Sequence, residues 1–147
     1  MDFRLSHEKA LSLFSKYINL RFKYKGRDFS GVDCFGLVYL ILKNEKQIEL
    51  LEYDYSRKWY LEGKNYIVDI KNDLQTWSSI DIETIRPFDV ILFYASPKRI
   101  IVNHMGLYIG EEKFIHISED HNSRVERIND HWISRIYSIM RYSKEVQ

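Results

Sequence analysis

One cysteine and two histidines of this chain have the residue types and surroundings that catalysis by a thiol requires. Cys34, the only cysteine among the 147 residues, follows Asp33 at the start of an apolar segment. His104 and His116 lie twelve residues apart in a later segment that contains alternating apolar residues. A thiolate that attacks a carbonyl, an imidazole that accepts its proton and a group that orients this imidazole form the smallest set for acyl transfer by cysteine. We therefore predict that Cys34, His104 and His116 form a catalytic triad.

The predicted position of Cys34 at a helix start would activate its thiol. Unpaired N–H groups and the positive end of the macrodipole lower the pKa of a thiol at a helix N-terminus, and a nearby imidazole lowers it further. Asp33 is a favourable N-cap residue for this helix. The backbone N–H of Cys34 is the expected donor to the oxyanion of a tetrahedral intermediate. In this arrangement His104 is the general base, and His116 holds it in the required orientation.

The same residues allow other interpretations. A lone cysteine at a helix start is often only a small buried apolar side chain, and a histidine taken alone is often structural. Cys34, His104 and His116 together suit a zinc ion, but no fourth ligand stands at a typical spacing, so we predict neither a metal nor a cofactor. The remaining histidines are assigned no part in the site, two of them being expected in a surface loop and a turn: His7, His121 and His131.

Composition limits the class of protein. With 147 residues, 45% of them apolar, residues 1–147 are expected to form one domain with a packed core. The net charge of +1 argues against a nucleic-acid partner. The first residues lack the pattern of a secretory signal, and no apolar run is long enough to span a membrane, so synthesis in the cytoplasm is expected.

The order of the predicted elements indicates an α+β domain. Helical periodicity predicts helices over 7–18, 34–43 and 65–77, with an irregular or short helical stretch over 52–59. Strands are predicted over 90–94, 101–109 and 113–117, with weaker candidates over 124–128 and 136–142 and a helical turn near 130–132. Helices followed by an antiparallel sheet are typical of the α+β class.

The two histidines are predicted to meet across a β-hairpin. Burying the apolar residues of both strands on one face requires a three-residue turn, or a two-residue turn at Glu111-Glu112 with a bulge near Gly110. In that register His104 and His116 leave the core and point to the opposite face, as diagonal neighbours about 7–8 Å apart at the backbone. Gly106 lies between them and is expected to leave room for another element.

Four sequence blocks resemble the NlpC-type cell-wall cysteine peptidases, and together they span about residues 20–142. The blocks are Gly31-Val32-Asp33-Cys34-Phe35-Gly36-Leu37-Val38, Arg86-Pro87-Phe88-Asp89-Val90-Ile91-Leu92-Phe93, His104-Met105-Gly106-Leu107-Tyr108-Ile109-Gly110 and Phe114-Ile115-His116. The resemblance implies a pared-down papain-like fold, in which the cysteine helix packs on an antiparallel sheet. It also implies hydrolysis of an amide bond in the peptidoglycan stem peptide, commonly the bond between γ-D-glutamyl and a diamino acid. Cys34 would then attack, His104 would serve as base and later as acid, and His116 would orient it.

Two positions depart from the pattern of this family. Members often carry a tyrosine twelve residues before the cysteine, where this chain has Phe22, and Tyr24 is the nearest hydroxyl that could replace it. With Asp33, these two residues are the candidates for substrate contact. Phe88 stands where glycine is usual, and this change is expected to alter only a turn.

Segments 26–34 and 48–55 resemble the branch of the family that tailed phages and prophages encode. The leading hypothesis is therefore a cysteine endopeptidase of the cell wall that is associated with a virion tail, with the stem peptide as substrate and tail proteins as partners. One alternative is a tail-assembly or tail-tip structural protein with a peptidase-like domain. Another is an acyltransferase or an amidase on the same fold.

Overall fold

The computed structural model describes residues 12–52, 55–57 and 76–145. It contains the α-helices α1 (Cys34–Lys46) and α2 (Asp130–Ile133) and a helical segment at 12–14, and none of the helices in these ranges has the length and apolar composition needed to cross a membrane. The strands are β1 (Arg27–Asp28), β2 (Gly31–Val32), β3 (Trp77–Ser79), β4 (Val90–Tyr94), β5 (Val102–Gly110), β6 (Lys113–Ser118), β7 (His121–Arg127) and β8 (Ile136–Tyr142). Short 3₁₀ helices are Ser15–Tyr17, Ile82–Thr84 and Ser143–Glu145.

Helix α1 begins at the cysteine and lies in the core. The Asp33 carboxylate caps it by accepting the Gly36 N–H at 2.7 Å, as predicted. Residues Phe35–Leu42 are all buried, which explains why this helix is apolar on every side. The helix ends at Lys46, three residues beyond the predicted end, where Gln47 adopts a left-handed conformation with φ 55°.

Six strands form one antiparallel sheet in the order β3-β8-β4-β5-β6-β7, and β1 and β2 form a separate pair. Helix α1 packs against β5 and β6. The strands predicted over 90–94 and 136–142 have the observed bounds, and the other three predicted strands differ from the observed ones by one to three residues. The predicted α+β class is therefore confirmed.

Three predicted segments differ from the structure or lie partly outside it. Trp77 begins a strand rather than ending a helix, because its ring packs edge-on against Tyr142 on β8 at 6.0 Å. Residues 65–75 of that predicted helix, and 7–11 of the first one, lie outside the described residues; residues 12–14 are helical. Of the stretch 52–59, the described positions 52 and 55–57 are neither helix nor strand.

Strands β5 and β6 form the predicted hairpin with the two-residue turn and the bulge. Glu111 and Glu112 both have positive φ, 51° and 60°, as a type I′ turn requires. The register shifts by one residue before Gly110, so the apolar residues of both strands share one face. His104 and His116 therefore share the other face, as predicted.

Gly106 lies between the two histidines and has no room for a side chain. A Cβ on this residue would lie 2.9 Å from the Phe114 ring, 3.0 Å from the Ile115 carbonyl oxygen and 3.3 Å from the His116 Cβ. The expectation that another element approaches here was wrong, because Phe114 of the same hairpin fills the space.

Both faces of the sheet are buried. The cluster that contains most residues of α1 covers one face, and a smaller cluster covers the other: Ile91, Phe93, Tyr108, Phe114, Trp132 and Ile139. The His104 and His116 side chains contact this second cluster and are only 9% and 2% exposed. The prediction that they leave the core was therefore wrong, because Trp132 from α2 folds over this face of the sheet.

The turn before β4 has the left-handed backbone for which glycine is favoured. Phe88 adopts φ 78°, and its ring packs against Phe14 at 5.4 Å. The next residue, Asp89, is buried and accepts hydrogen bonds from Arg141 at 2.8 and 2.7 Å. Phe88 thus lies in a turn, and that its replacement of glycine alters only this turn stays a prediction.

Candidate active site

A cavity of about 580 Å³ is lined by Cys34, His104 and His116. Cys34 is the first residue of α1, His104 lies near the start of β5, and His116 lies in β6. The structure thus brings the three predicted triad residues to one cavity, although 70 residues separate the cysteine from the first histidine. Most of the further lining residues are aromatic or charged: Phe22, Tyr24, Tyr55, Trp132, Asp33, Arg57, Glu119, Asp120, His121, Arg124 and Arg135.

The two histidines and a glutamate form a hydrogen-bonded chain. His104 Nε2 lies 2.8 Å from His116 Nδ1, and His116 Nε2 contacts a carboxylate oxygen of Glu126. Because a carboxylate accepts, His116 carries its proton on Nε2, and its Nδ1 accepts the proton that His104 carries on Nε2. His104 then has its lone pair on Nδ1, the ring nitrogen that remains for Cys34. The glutamate thereby sets the tautomer in which His104 can accept a proton.

Burial keeps both imidazoles neutral. It lowers the pKa of His104 well below its usual value, and nearby positive groups such as Arg135 lower it further. Burial, followed by the neighbouring charges of His121 and of two arginines, lowers the pKa of His116 to about 3. Glu126 therefore accepts from a neutral imidazole at neutral pH. A neutral His104 is the form that can accept a thiol proton.

The sequence analysis missed Glu126. This residue lies on β7, opposite Phe114 in register and two residues along from the partner of His116. Segment 119–123 has no apolar alternation, so neither the start of β7 nor its register could be predicted. The available signal was Val125, whose partly buried side chain packs against the core and so directs Glu126 to the histidine face.

Asp33 lines the cavity, but its carboxylate is engaged within the protein. One oxygen accepts from the Gly36 N–H at 2.7 Å and from Arg27 at 3.2 Å. The other accepts from the Lys25 N–H at 2.9 Å and from the Tyr55 hydroxyl. Four donors occupy the four lone-pair positions of the carboxylate. Asp33 thus fixes the loop that precedes the cysteine, and no acceptor position is left for the predicted substrate contact.

Phe22 and Tyr24, the other two candidates for substrate contact, also line the cavity. The Tyr24 hydroxyl donates to the backbone carbonyl of Tyr55, and the two rings pack edge-on at 5.8 Å. This bond holds residue 55 at the cavity wall. Phe22 forms an isolated bridge with Val32 and packs against the core. The backbone N–H of Cys34, in the first turn of α1, remains the expected oxyanion donor.

His121 was expected in a surface loop. In the structure it begins β7 and lines the cavity. Its ring packs edge-on against His116 at 4.9 Å. His131 lies in the predicted helical turn and is exposed. The two predicted triad histidines bond to each other. His116, His121 and Glu126 have ligand atoms within 4.8 Å of one another.

A cysteine at the start of a helix, packed on an antiparallel sheet that carries the histidines, defines the class of papain-like folds. The NlpC/P60 family profile matches residues 19–141, and the chain belongs to the NlpC/P60 family. The predicted papain-like fold is thus confirmed.

Known proteins agree with this assignment. The murein DD-endopeptidase MepS/murein LD-carboxypeptidase of Escherichia coli K12 is 20% identical over 130 residues, which are 88% of this chain and 59% of that protein. This chain therefore spans less than two thirds of the length of that relative.

Two solved structures are similar as well. An NlpC/P60 family protein from Bacillus cereus ATCC 10987 superposes with a TM-score of 0.65 at 19% identity, over 95% of this chain and 41% of that one. The NlpC/p60 domain of the peptidoglycan hydrolase SagA superposes with a TM-score of 0.58 at 17% identity, over 92% of this chain and 97% of that one.

Proposed function

We propose that this protein is a cysteine peptidase that hydrolyses an amide bond in the peptide part of peptidoglycan. The observation that carries the proposal is the cavity that Cys34 shares with His104 and His116, which are hydrogen-bonded to each other. The E. coli relative is by name a murein endopeptidase, and SagA is by title a peptidoglycan hydrolase. Membership of the same family supports this class of substrate.

The proposed reaction begins with transfer of the Cys34 thiol proton to His104 Nδ1. The sulfur attacks the carbonyl carbon, and the backbone N–H of Cys34 donates to the oxyanion. The C–N bond then breaks, and His104 returns its proton to the leaving amine. Water, deprotonated by His104, hydrolyses the thioester, and that proton goes back to the sulfur. His116 and Glu126 accept in sequence from the His104 imidazolium, so they stabilise its charge while it exists.

The bond that is cut is proposed to be the one between γ-D-glutamyl and a diamino acid, as the family resemblance implies. The name of the E. coli relative refers instead to DD and LD bonds. The cavity carries cationic side chains, Arg57, Arg124 and Arg135, and the acidic Glu119 and Asp120. Both signs of charge suit a stem peptide, which has carboxylates and an amine, better than the acyl chain of a lipid, so they favour a peptidase over an acyltransferase.

Association with a phage or prophage tail is the finer part of the proposal, and it is supported by the resemblance of segments 26–34 and 48–55. On this proposal the chain is made in the cytoplasm, assembled into a tail and brought to the cell wall. Mass spectrometry of purified particles from a strain that encodes the chain tests this part. Absence of the chain from intact particles would contradict it.

Digestion of purified sacculi by the wild type and by Cys34→Ala, with muropeptides identified by mass spectrometry, tests the activity. The proposal predicts products that depend on Cys34, ending in the γ-D-glutamyl residue. Conversion of cross-linked dimers to monomers would show a DD-endopeptidase instead. Equal products from both proteins, or none from either, would favour the structural role in a tail.

A further inference from the structure

Three side chains beside the proposed base form a donor set that suits a transition metal. His116 lies on β6, and His121 and Glu126 lie at the start and near the end of β7. Their ligand atoms lie within 4.8 Å of one another. Two imidazoles and one carboxylate are the protein ligands of many zinc sites that keep an open fourth position.

The orientation of His121 supports this interpretation. Its Nδ1 lies 2.7 Å from the backbone carbonyl oxygen of Asn122, which can only accept, so Nδ1 carries the proton and Nε2 the lone pair. Histidines that bind metals typically have their other ring nitrogen held in this way. His116 and His121 both line the cavity, which gives an ion a path from solvent.

We propose that His116 Nε2, His121 Nε2 and a Glu126 oxygen bind a divalent transition metal, Zn²⁺ above all, with water as the fourth ligand. Zinc–nitrogen bonds of about 2.0–2.1 Å place neighbouring ligand atoms of a tetrahedral site about 3.3 Å apart. The Glu126 oxygen that contacts His116 Nε2 has to move away from it to reach this spacing. The Glu126 side chain is 26% exposed and His121 is half-buried, so both can shift. Arg124 Nε lies 3.4 Å from the same Glu126 oxygen, and its side chain is 52% exposed. It can therefore turn toward solvent when the ion binds.

Metal binding at this position would switch off the base, a consequence that rests on the proposed function. A metal on His116 Nε2 displaces the proton to Nδ1 of the same ring, which then donates to His104 Nε2. The His104 proton moves to Nδ1, the nitrogen that accepts the Cys34 proton in the proposed reaction. Each ring keeps one proton, so charge balances, but His104 no longer has a lone pair for the Cys34 proton. The site is therefore inhibitory.

Binding is tested without the thiol and without any substrate. The full chain carrying Cys34→Ala is titrated with ZnCl₂ by calorimetry, because removal of the sulfur excludes zinc capture by Cys34. The proposal predicts one ion per chain and at least tenfold weaker binding after His121→Gln. His131→Gln, which removes an exposed imidazole outside the cluster, is the matched control and should leave the affinity unchanged. No binding, or equal affinity with and without His121, overturns the proposal.

A second variant keeps the test decisive if His121→Gln does not fold. Glu126→Gln in the same Cys34→Ala chain should also weaken zinc binding at least tenfold, and circular dichroism verifies the fold of each variant. Unchanged affinity in a folded Glu126→Gln protein likewise overturns the proposal.

Inhibition is tested with the intact cysteine. Zn²⁺ should suppress muropeptide release, and a chelator should restore it. In His121→Gln, with each rate taken relative to the metal-free rate of the same variant, the half-inhibitory Zn²⁺ concentration should rise at least tenfold. Hydrolysis that continues with the site saturated overturns the inhibitory role. Zinc binding in a protein without hydrolytic activity would instead contradict the proposed function and support the metal site. The two failures are therefore distinguishable.

Discussion

The Nε2 of His104 and the Nδ1 of His116 are 2.8 Å apart, and this contact determines which nitrogen of His104 can serve the cysteine. Since Glu126 fixes the proton of His116 on Nε2, the bond between the histidines runs in one direction only. Three strands, β5, β6 and β7, supply the three groups. The orientation of the base is therefore built into the sheet.

Removing the charge of Glu126 should slow catalysis without weakening substrate binding. Glu126→Gln presents an amide that can donate as well as accept, so the His116 tautomer is no longer enforced. We expect kcat to fall roughly tenfold with little change in KM, as for other groups that orient a ligating or catalytic histidine. Rates are measured on a purified muropeptide with chelator present. Glu83→Gln, an exposed change, is the control. A change in KM alone would contradict a positioning role.

Asp33→Asn should lower the free energy of unfolding by about 2 kcal/mol. The amide NH₂ group of the asparagine would face N–H or O–H groups that now donate to a carboxylate oxygen, so these donors would lose their acceptor. Urea unfolding measures this change. The matched control is Asp28→Asn, since Asp28 is exposed and accepts, among the described residues, from Ser30, and it should cost less than about 0.5 kcal/mol. A higher KM for Asp33→Asn at unchanged stability would show instead that this carboxylate binds substrate.

Acid should destabilise the fold through His116. Its pKa is about 3 in the folded protein and near 6.5 when unfolded, so the unfolded chain binds more protons between these values. Stability is therefore lost as the pH falls below 6.5, by about 2 kcal/mol between pH 7 and pH 5 from this one group. Urea unfolding of the wild type and of His116→Gln at both pH values, with chelator present, measures this loss of stability. An equal loss in both proteins would show that His116 is not responsible.

Local patterns in the sequence were sufficient for the helix cap and for the pairing of the histidines. Asp33 before an apolar run predicted the start of α1, and the need to bury the apolar residues of the hairpin predicted either a three-residue turn or the bulge that is observed. Contacts that depend on distant segments were not predictable. Trp132 covers the histidines only because α2 folds over the sheet, and Glu126 reaches His116 only because the register of β7 allows it.

The pairing of Cys34 with His104 is tested most directly by the pH dependence of Cys34 alkylation. Because the chain has one cysteine, iodoacetamide reports on that thiol alone. Because the neutral His104 accepts the thiol proton as the sulfur attacks, Cys34 should react in the wild type well below the pH at which an ordinary thiol with a pKa of about 8.5 does so. His104→Ala should shift the profile toward that of an ordinary thiol, with the effect of the helix N-terminus remaining, and His131→Ala should not shift it. Identical profiles for the wild type and His104→Ala would contradict the account.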